Sequence, residues 1–235
     1  MDSTASKLEN LKFECQFCNK SFRKERSLLA HVCESKRRFL QRNDRAVRVG
    51  LSAYQRFYET TQNFAKTKTF EEFESSDFYL AFVRFGRYVV SSNVIRPQEF
   101  VDWLIKNTVK LDKWCQESYY QMFLTEWLKI EASDEALERS INNMDMWSKE
   151  TGNGLEDFFL KIQTNKCVNM LTNGRISPWL LYNCDSGMEL LSKLTDEQLD
   201  LVADIISPVF WKKKFKDYPA DAELVRTILH EAGIK

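Results

Sequence analysis

The chain has 235 residues, with 34 basic and 34 acidic side chains, six cysteines and a hydrophobic content of 43%. This composition is sufficient for a packed core and excludes a wholly disordered chain. Only four prolines and seven glycines are present, so a turn-rich β-sandwich is disfavoured and an all-α body is predicted. No apolar run approaches the roughly 18 residues of a membrane span and Met1–Leu11 does not resemble a signal peptide, so we expect a cytoplasmic protein with thiols or metal ligands rather than disulfides.

The charges are unevenly distributed along the chain. Residues 1–60 hold 13 basic and 7 acidic side chains, which leaves the rest of the chain acidic. A basic head followed by an acidic body predicts that the head meets polyanions.

Four segments follow one another along the chain. Residues 1–12 are polar and predicted to be a flexible N-terminus, and residues 13–35 form a candidate metal-binding module. Residues 36–65 form a basic, amphipathic connecting segment with one long helix over 36–64. In that helix Leu40, Val47 and Tyr54 share one stripe, and Arg38 lies on the opposite face. Residues 66–235 are predicted to form an acidic, all-α helical domain.

The predicted helices of the last segment are placed by apolar periodicity and by cap residues. Ser75 or Ser76 can cap a helix that carries Phe82 and Phe85, Pro97 opens another, and Thr195 with Gln198 resembles a capping box. Further helices are predicted at 112–131, 133–149, 155–172, 177–192, 195–206, 208–216 and 220–232, with an internal linker at 151–154.

The stretch "FECQFCNKSFRKERSLLAHVCESKRR" begins at Phe13 and contains a possible metal site. Cys15 and Cys18 are separated by two residues, and His31 lies twelve residues beyond Cys18. Phe13, Phe22 and Leu28 stand at the apolar positions of a small ββα unit. On these six positions the stretch resembles the Cys2His2 zinc-finger family, which implies a zinc cofactor and a small ββα-like zinc finger in front of the multi-helix body.

The fourth ligand departs from that family pattern, because the second histidine is absent. Cys33 is the nearest candidate, but residues two apart on a continuous helix point about 200° away from each other. Cys33 can therefore close the site only if the helix ends or tightens at His31. The alternatives are a three-ligand site completed by water or a remote donor, or a cysteine pair that binds no metal.

Nucleic acid is the polyanion that a zinc finger with a basic extension favours. Single fingers also bind proteins, and the readout positions Lys24, Ser27 and Ala30 form a poor base code, so weak sequence specificity is expected. Arg38, Arg42 and Arg45 fall on one face of the predicted helix, and a solvated helix face is the alternative explanation for this row. The predicted nucleic-acid-binding residues are Arg23, Lys24, Arg26, Ser27, Lys36, Arg37, Arg38, Arg42, Arg45 and Arg48.

No catalytic motif is visible, and we expect no enzymatic activity. Asp196, Asp200 and Asp204 recur at four-residue intervals and could hold a divalent metal for a nuclease, although such a row is usually a solvated face. The stretch "FYLAFVRF" could be a platform on which bases stack, but core packing is favoured. Cys115, Cys167, Cys184 and the six tryptophans are predicted to belong to the core.

The whole chain, with the stretch "NMLTNGRISPWLLYNCDSGMELLSKL" in its carboxyl part, resembles uncharacterised zinc-finger proteins of T4-type marine tailed phages and, faintly, the helical lobe of phage helicase loaders. The resemblance implies a DNA-binding accessory role in phage replication, recombination or transcription, in the host bacterial cytoplasm. Duplex or forked DNA and a protein partner for the helical body are the expected partners. A protein-interaction or virion component with a purely structural finger is the alternative.

Overall fold

The computed structural model describes residues 13–62 and 66–235, and the chain divides into two compact units with the boundary after Cys115. The predicted flexible N-terminus at 1–12 and the predicted helix end at Phe64 lie outside the described residues. The helical domain predicted at 66–235 therefore contributes to both units, because the boundary after Cys115 divides it.

The first unit consists of a short hairpin followed by helices. β1 pairs antiparallel with β2, with Phe13 opposite Phe22 and Glu14 opposite Ser21. The elements are β1 (Phe13–Glu14), β2 (Ser21–Phe22), α1 (Glu25–Leu29), α2 (Glu34–Leu40), α3 (Arg45–Gln62), α4 (Phe70–Glu74), α5 (Tyr79–Ser91), α6 (Pro97–Lys106) and a 3-10 turn (Leu111–Lys113).

The second unit is helical throughout its described elements. They are α7 (Glu117–Ile130), α8 (Ser133–Thr151), a 3-10 turn (Leu155–Asp157), α9 (Phe158–Lys161), α10 (Thr164–Thr172), α11 (Pro178–Leu181), α12 (Asp185–Ser192), α13 (Asp196–Ile206), α14 (Pro208–Asp217) and α15 (Pro219–Glu231). The all-α prediction with a small N-terminal ββα-like module is confirmed. Among the described helices, none combines the length and the apolar character that crossing a bilayer requires.

The prediction of a single helix over 36–64 is wrong, because the chain turns between α2 and α3. Residues 41–44 form a turn in which the Asp44 N–H donates to the carbonyl oxygen of Gln41 at 2.9 Å. Asn43 and Asp44 favour turns and helix starts over helix interiors, because their short polar side chains compete for backbone hydrogen bonds. The apolar stripe holds from Val47 to Tyr54, which are buried, whereas Leu40 is exposed.

Several other predicted boundaries also change. The helix predicted at 155–172 breaks at Ile162 and Gln163, and the one at 177–192 breaks from Tyr182 to Cys184. Helix α4 was not predicted, and a full capping box between Thr69 and Glu72 begins it. The predicted capping box of Thr195 with Gln198 is confirmed at the start of α13.

Helices α3 and α5 cross at two glycines. A Cβ at Gly86 would stand 1.9 Å from the backbone oxygen of Ala46, and one at Gly50 would stand 2.7 Å from that of Phe82. The two backbones therefore touch directly, and any larger residue at either position would push the helices apart. Phe82 and Phe85 are fully buried beside this crossing, so they pack in the core and offer no face for stacking bases.

A buried lysine ties together part of the second unit. The ammonium group of Lys214 on α14 donates to the carbonyl oxygens of Lys129 and Glu131, at 2.5 and 3.1 Å, where α7 ends. The same group lies over the rings of Trp179 and Trp211. Carbonyl dipoles at a helix C-terminus and aromatic faces both stabilise a cation, which explains how this lysine is tolerated in the interior.

Candidate metal centre and cationic surface

The hairpin places the first two cysteines. Cys15 follows β1, and its backbone N–H donates to the carbonyl oxygen of Lys20 across the turn at 3.0 Å. Asn19 closes the turn with φ of +57°, in the left-handed region that asparagine tolerates better than most residues. The N–H of Asn19 donates to the carbonyl oxygen of Cys15 at 2.7 Å, and the tight turn brings both sulfurs to one side.

The end of helix α1 places the other two ligands. The helix stops at Leu29, so His31 and Cys33 are not successive residues of one helix. Cys33 is extended, with φ of −82° and ψ of 168°, and stands at the N-cap position of α2. This is the helix ending that the sequence required, and it removes the 200° separation that would have kept Cys33 away from the site.

Four ligand atoms converge at this place. The sulfurs of Cys15, Cys18 and Cys33 and a ring nitrogen of His31 all lie within 4.8 Å of one another. Sγ of Cys15 is 3.9 Å from Sγ of Cys33, and Sγ of Cys18 is 3.2 Å from Nε2 of His31. In a tetrahedral site with metal–sulfur bonds of about 2.3 Å, two sulfur ligands are expected to lie about 3.8 Å apart. The group could therefore hold a metal ion, and its cysteines form no disulfide.

Backbone N–H groups act on the pKa values of two of the thiols, Cys15 and Cys18. The backbone N–H of Phe17 lowers the pKa of the Cys15 thiol. At Cys18 the backbone N–H of Lys20 acts in the same direction, but loss of solvation and the neighbouring thiols outweigh it, so the pKa of Cys18 is raised. Thiolates this close repel one another, and a bound cation is what allows all of them to ionise together.

The remaining cysteines are chemically different from these three. Burial raises the pKa of Cys167 to about 12, and it also raises the pKa of Cys184 and of Cys115. Such thiols stay protonated at neutral pH and pack as small apolar groups. Within residues 13–62 and 66–235 the finger residues are the one group of three or more His, Cys, Asp or Glu side chains placed to hold a metal, and the Asp196 row forms no such group.

The finger is fastened to the helices of its own unit through Arg38. The guanidinium donates to Oε1 of Glu34 at 3.0 Å and to the carbonyl oxygen of Glu74 at the end of α4. It also lies 4.3 Å from the ring centre of Tyr79. A second contact joins Phe17 in the finger to Phe39 on α2, with ring centres 5.2 Å apart.

Three of the ten predicted nucleic-acid-binding residues are therefore engaged within the protein. Besides Arg38, Lys36 donates from Nζ to the carbonyl oxygen of His31 at 3.1 Å, and Arg37 pairs with Glu34. Arg42 is exposed but lies over the ring of Phe39 at 4.0 Å. The row of Arg38, Arg42 and Arg45 on one helix face does not exist, because the turn at 41–44 interrupts it.

The other predicted cations are exposed and make no ion pair in the described part of the chain. They are Arg23, Lys24, Arg26, Arg45 and Arg48. Ser27 is exposed on α1 beside them. Guanidinium and ammonium groups in this state keep all their donors available for an anion.

Arg45 and Arg48 border a cleft that the sequence did not reveal. We name it the arginine cleft; its volume is about 380 Å³. Its lining residues come from α3, α5 and α6, and a sequence pattern within one helix gives no signal for such a site. They are Arg45, Arg48, Val49, Ser52, Ala53, Arg56, Phe85, Pro97, Gln98 and Val101.

No protein-family model, no curated protein and no solved structure matches the chain. The resemblance to zinc-finger proteins of T4-type phages therefore stays a prediction.

Cobalt(II) substitution tests the role of Cys33. We expect one cobalt ion per chain, with a sulfur-to-metal charge-transfer band that reflects three thiolates. Cys33→Ser should lower that band by about one third, because one of three sulfur ligands is lost. Cys115→Ser is the matched control and should leave the spectrum unchanged, since that thiol lies outside the group. Identical spectra for Cys33→Ser and wild type would remove Cys33 from the site.

Arg38 and Arg37 form a matched pair for testing how the finger is fastened. Arg38→Ala should lower the free energy of unfolding by about 1–3 kcal/mol, because a charge-assisted hydrogen bond and an aromatic contact are lost. Arg37→Ala should change it by less than about 0.5 kcal/mol, since its pair with Glu34 is exposed to solvent. Chemical denaturation, with hydrogen exchange of α2, measures both. Equal effects would contradict the anchoring role.

Proposed function

We propose that the metal held by the finger is zinc. Three thiolates and one imidazole are soft or borderline donors, and a closed tetrahedron of such donors suits a structural zinc ion. Among the described residues the group offers four ligand atoms, and all four come from one short stretch of chain. Zinc here would stabilise the fold of the finger rather than take part in a reaction.

The observation that carries the functional proposal is the set of free cations on the finger and at the start of α3. Five side chains, on the finger and at the start of α3, are exposed and unpaired among the described residues: Arg23, Lys24, Arg26, Arg45 and Arg48. Phosphate groups are the natural partners of such cations, and pairing releases condensed counterions. We therefore infer that the first unit binds DNA through its backbone.

The short finger helix supports weak sequence specificity. Helix α1 has five residues, so it is about 7.5 Å long and can present little more than one turn to a groove. Lys24 stands at its N-cap, where a phosphate contact is as accessible as a base contact. The affinity would come mainly from electrostatics, as expected for an accessory protein that binds many sequences.

The charge of the two units favours separate partners. Residues 1–115 hold 21 basic and 14 acidic side chains, whereas residues 116–235 hold 13 basic and 20 acidic ones. An acidic surface repels DNA, so we propose that the second unit recruits a protein partner. From the sequence resemblance we propose a non-enzymatic role in phage replication, recombination or transcription, in the bacterial cytoplasm.

A protein-interaction or virion component is the second candidate, and one observation favours it. Leu29, Val32 and Leu40, in or next to the finger, are 71%, 63% and 65% exposed. Large apolar side chains in water are costly and are often found where proteins meet. In this case the zinc site would be a structural clip, and the cations would face an acidic protein.

A salt titration separates the two candidates. With about five phosphates engaged, the affinity of the full chain for random-sequence duplex should follow a log–log slope of about −4 to −5 against salt. Arg45→Ala combined with Arg48→Ala should reduce the magnitude of that slope by about 2, as two phosphate contacts disappear. Fluorescence anisotropy between 50 and 200 mM KCl, about the range over which such slopes are resolved, measures it.

Lys149→Ala is the control, because this exposed lysine pairs with Asp145 in the second unit and is not among the free cations. Its slope should equal that of the wild type. A flat or absent response of the wild type to salt would contradict DNA binding and favour the protein-interaction candidate.

A further inference from the structure

The arginine cleft is lined by cations and by no acidic side chain. Three of its lining residues are arginines. Arg56 donates to both carboxylate oxygens of Asp102, at 2.6 and 2.8 Å, which fixes one end of the cleft by joining α3 to α6. Arg45 and Arg48 make no such pair in the described residues.

The cations follow one face of helix α3. Arg45, Arg48, Ser52 and Arg56 are spaced by three, four and four residues, which places them in a row along the helix. The row is about 16 Å long at 1.5 Å per residue. Because Arg56 is paired with Asp102, the free cations of the row are Arg45 and Arg48, which are three residues apart and can meet the phosphate of one nucleotide.

The floor of the cleft is apolar. The half-buried Val49 and Pro97 supply it, above the buried side chains of Ala53 and Val101. Two polar side chains also line the cleft, Ser52 and Gln98, and neither forms a hydrogen bond with other described residues. The cleft therefore combines an apolar surface, free hydrogen-bonding groups and cations, in a volume within the range of small-molecule sites, about 300–1,000 Å³.

An unpaired nucleotide has matching chemistry. Its phosphate meets the guanidinium groups, its base covers the apolar floor, and the base edge can bond to the Ser52 hydroxyl and the Gln98 amide. Guanidinium planes also stack on bases. The bases of intact duplex are paired and stacked, so duplex can lay only its phosphates across the rim and leaves the floor empty.

We propose that the arginine cleft binds one unpaired nucleotide of a DNA strand, so that the protein prefers forked or overhanging ends to continuous duplex. The inference rests on the proposed function and deepens it by naming the structure of the DNA that is recognised.

The test compares two DNAs in competition anisotropy with the full chain. One is a blunt duplex, and the other is the same duplex with a short single-stranded overhang. The wild type should prefer the overhang by about tenfold, which corresponds to one stacked base. Ser52→Trp fills the cleft without changing charge, so it should remove the preference and keep the affinity for blunt duplex.

Two further variants control for folding and position. Ser52→Ala leaves the cleft open and removes only the hydroxyl, so it should lower the preference by much less than Ser52→Trp does. Gln98→Trp blocks the cleft from the exposed side and should act like Ser52→Trp. Circular dichroism confirms that each variant is folded. A thiothymidine in the overhang should crosslink to a peptide of α3 or α6 in the wild type.

The outcomes distinguish the two proposals. Equal affinity of the wild type for both DNAs would overturn the nucleotide site and leave phosphate binding intact. A preference that persists in both tryptophan variants would also overturn it, because the base would lie elsewhere. No binding to either DNA, or binding of polyglutamate instead, would overturn both the site and the proposed function.

Discussion

Cys33 does two things at once, and the first unit depends on both. Its sulfur completes the group that could hold a metal ion. It also stands at the N-cap of α2, where the N–H of Lys36 donates to Sγ at 3.4 Å. A ligand placed two residues after His31 forces helix α1 to end early. The chain therefore leaves the metal site already directed into α2, and α2 in turn carries Arg38 to Glu74 and Tyr79.

This connection divides the basic side chains into two classes. Arg38 and Lys36 hold the finger against neighbouring parts of its unit. Their side chains donate hydrogen bonds to carbonyl oxygens and to Glu34. Arg45 and Arg48 begin the next helix and stay free. A finger on a mobile tether would lose conformational freedom on binding. A fastened finger has already lost that freedom on folding, so the positions of its cations are fixed by the fold.

The sequence predicted the features that local interactions determine. The spacing of Cys15, Cys18 and His31, the helix start at Pro97 and the capping box at Thr195 all depend on residues close in the chain. The turn at 41–44 had a local signal, because Asn43 and Asp44 favour turns. The prediction of one long helix gave more weight to the apolar periodicity than to this signal, and it was wrong. The engagement of Arg38 had no local signal, because Glu74 lies 36 residues away. The arginine cleft likewise requires three helices that meet around the contact of Gly50 and Gly86.

The central claim is that a closed metal site organises the N-terminal part of the first unit. Elemental analysis of the purified full chain tests it most directly. The account predicts one zinc ion per chain in the wild type, and loss of most of that zinc in Cys18→Ser, because one of four ligands is removed. A wild-type chain without zinc, or a Cys18→Ser chain that retains all of it, would contradict the account.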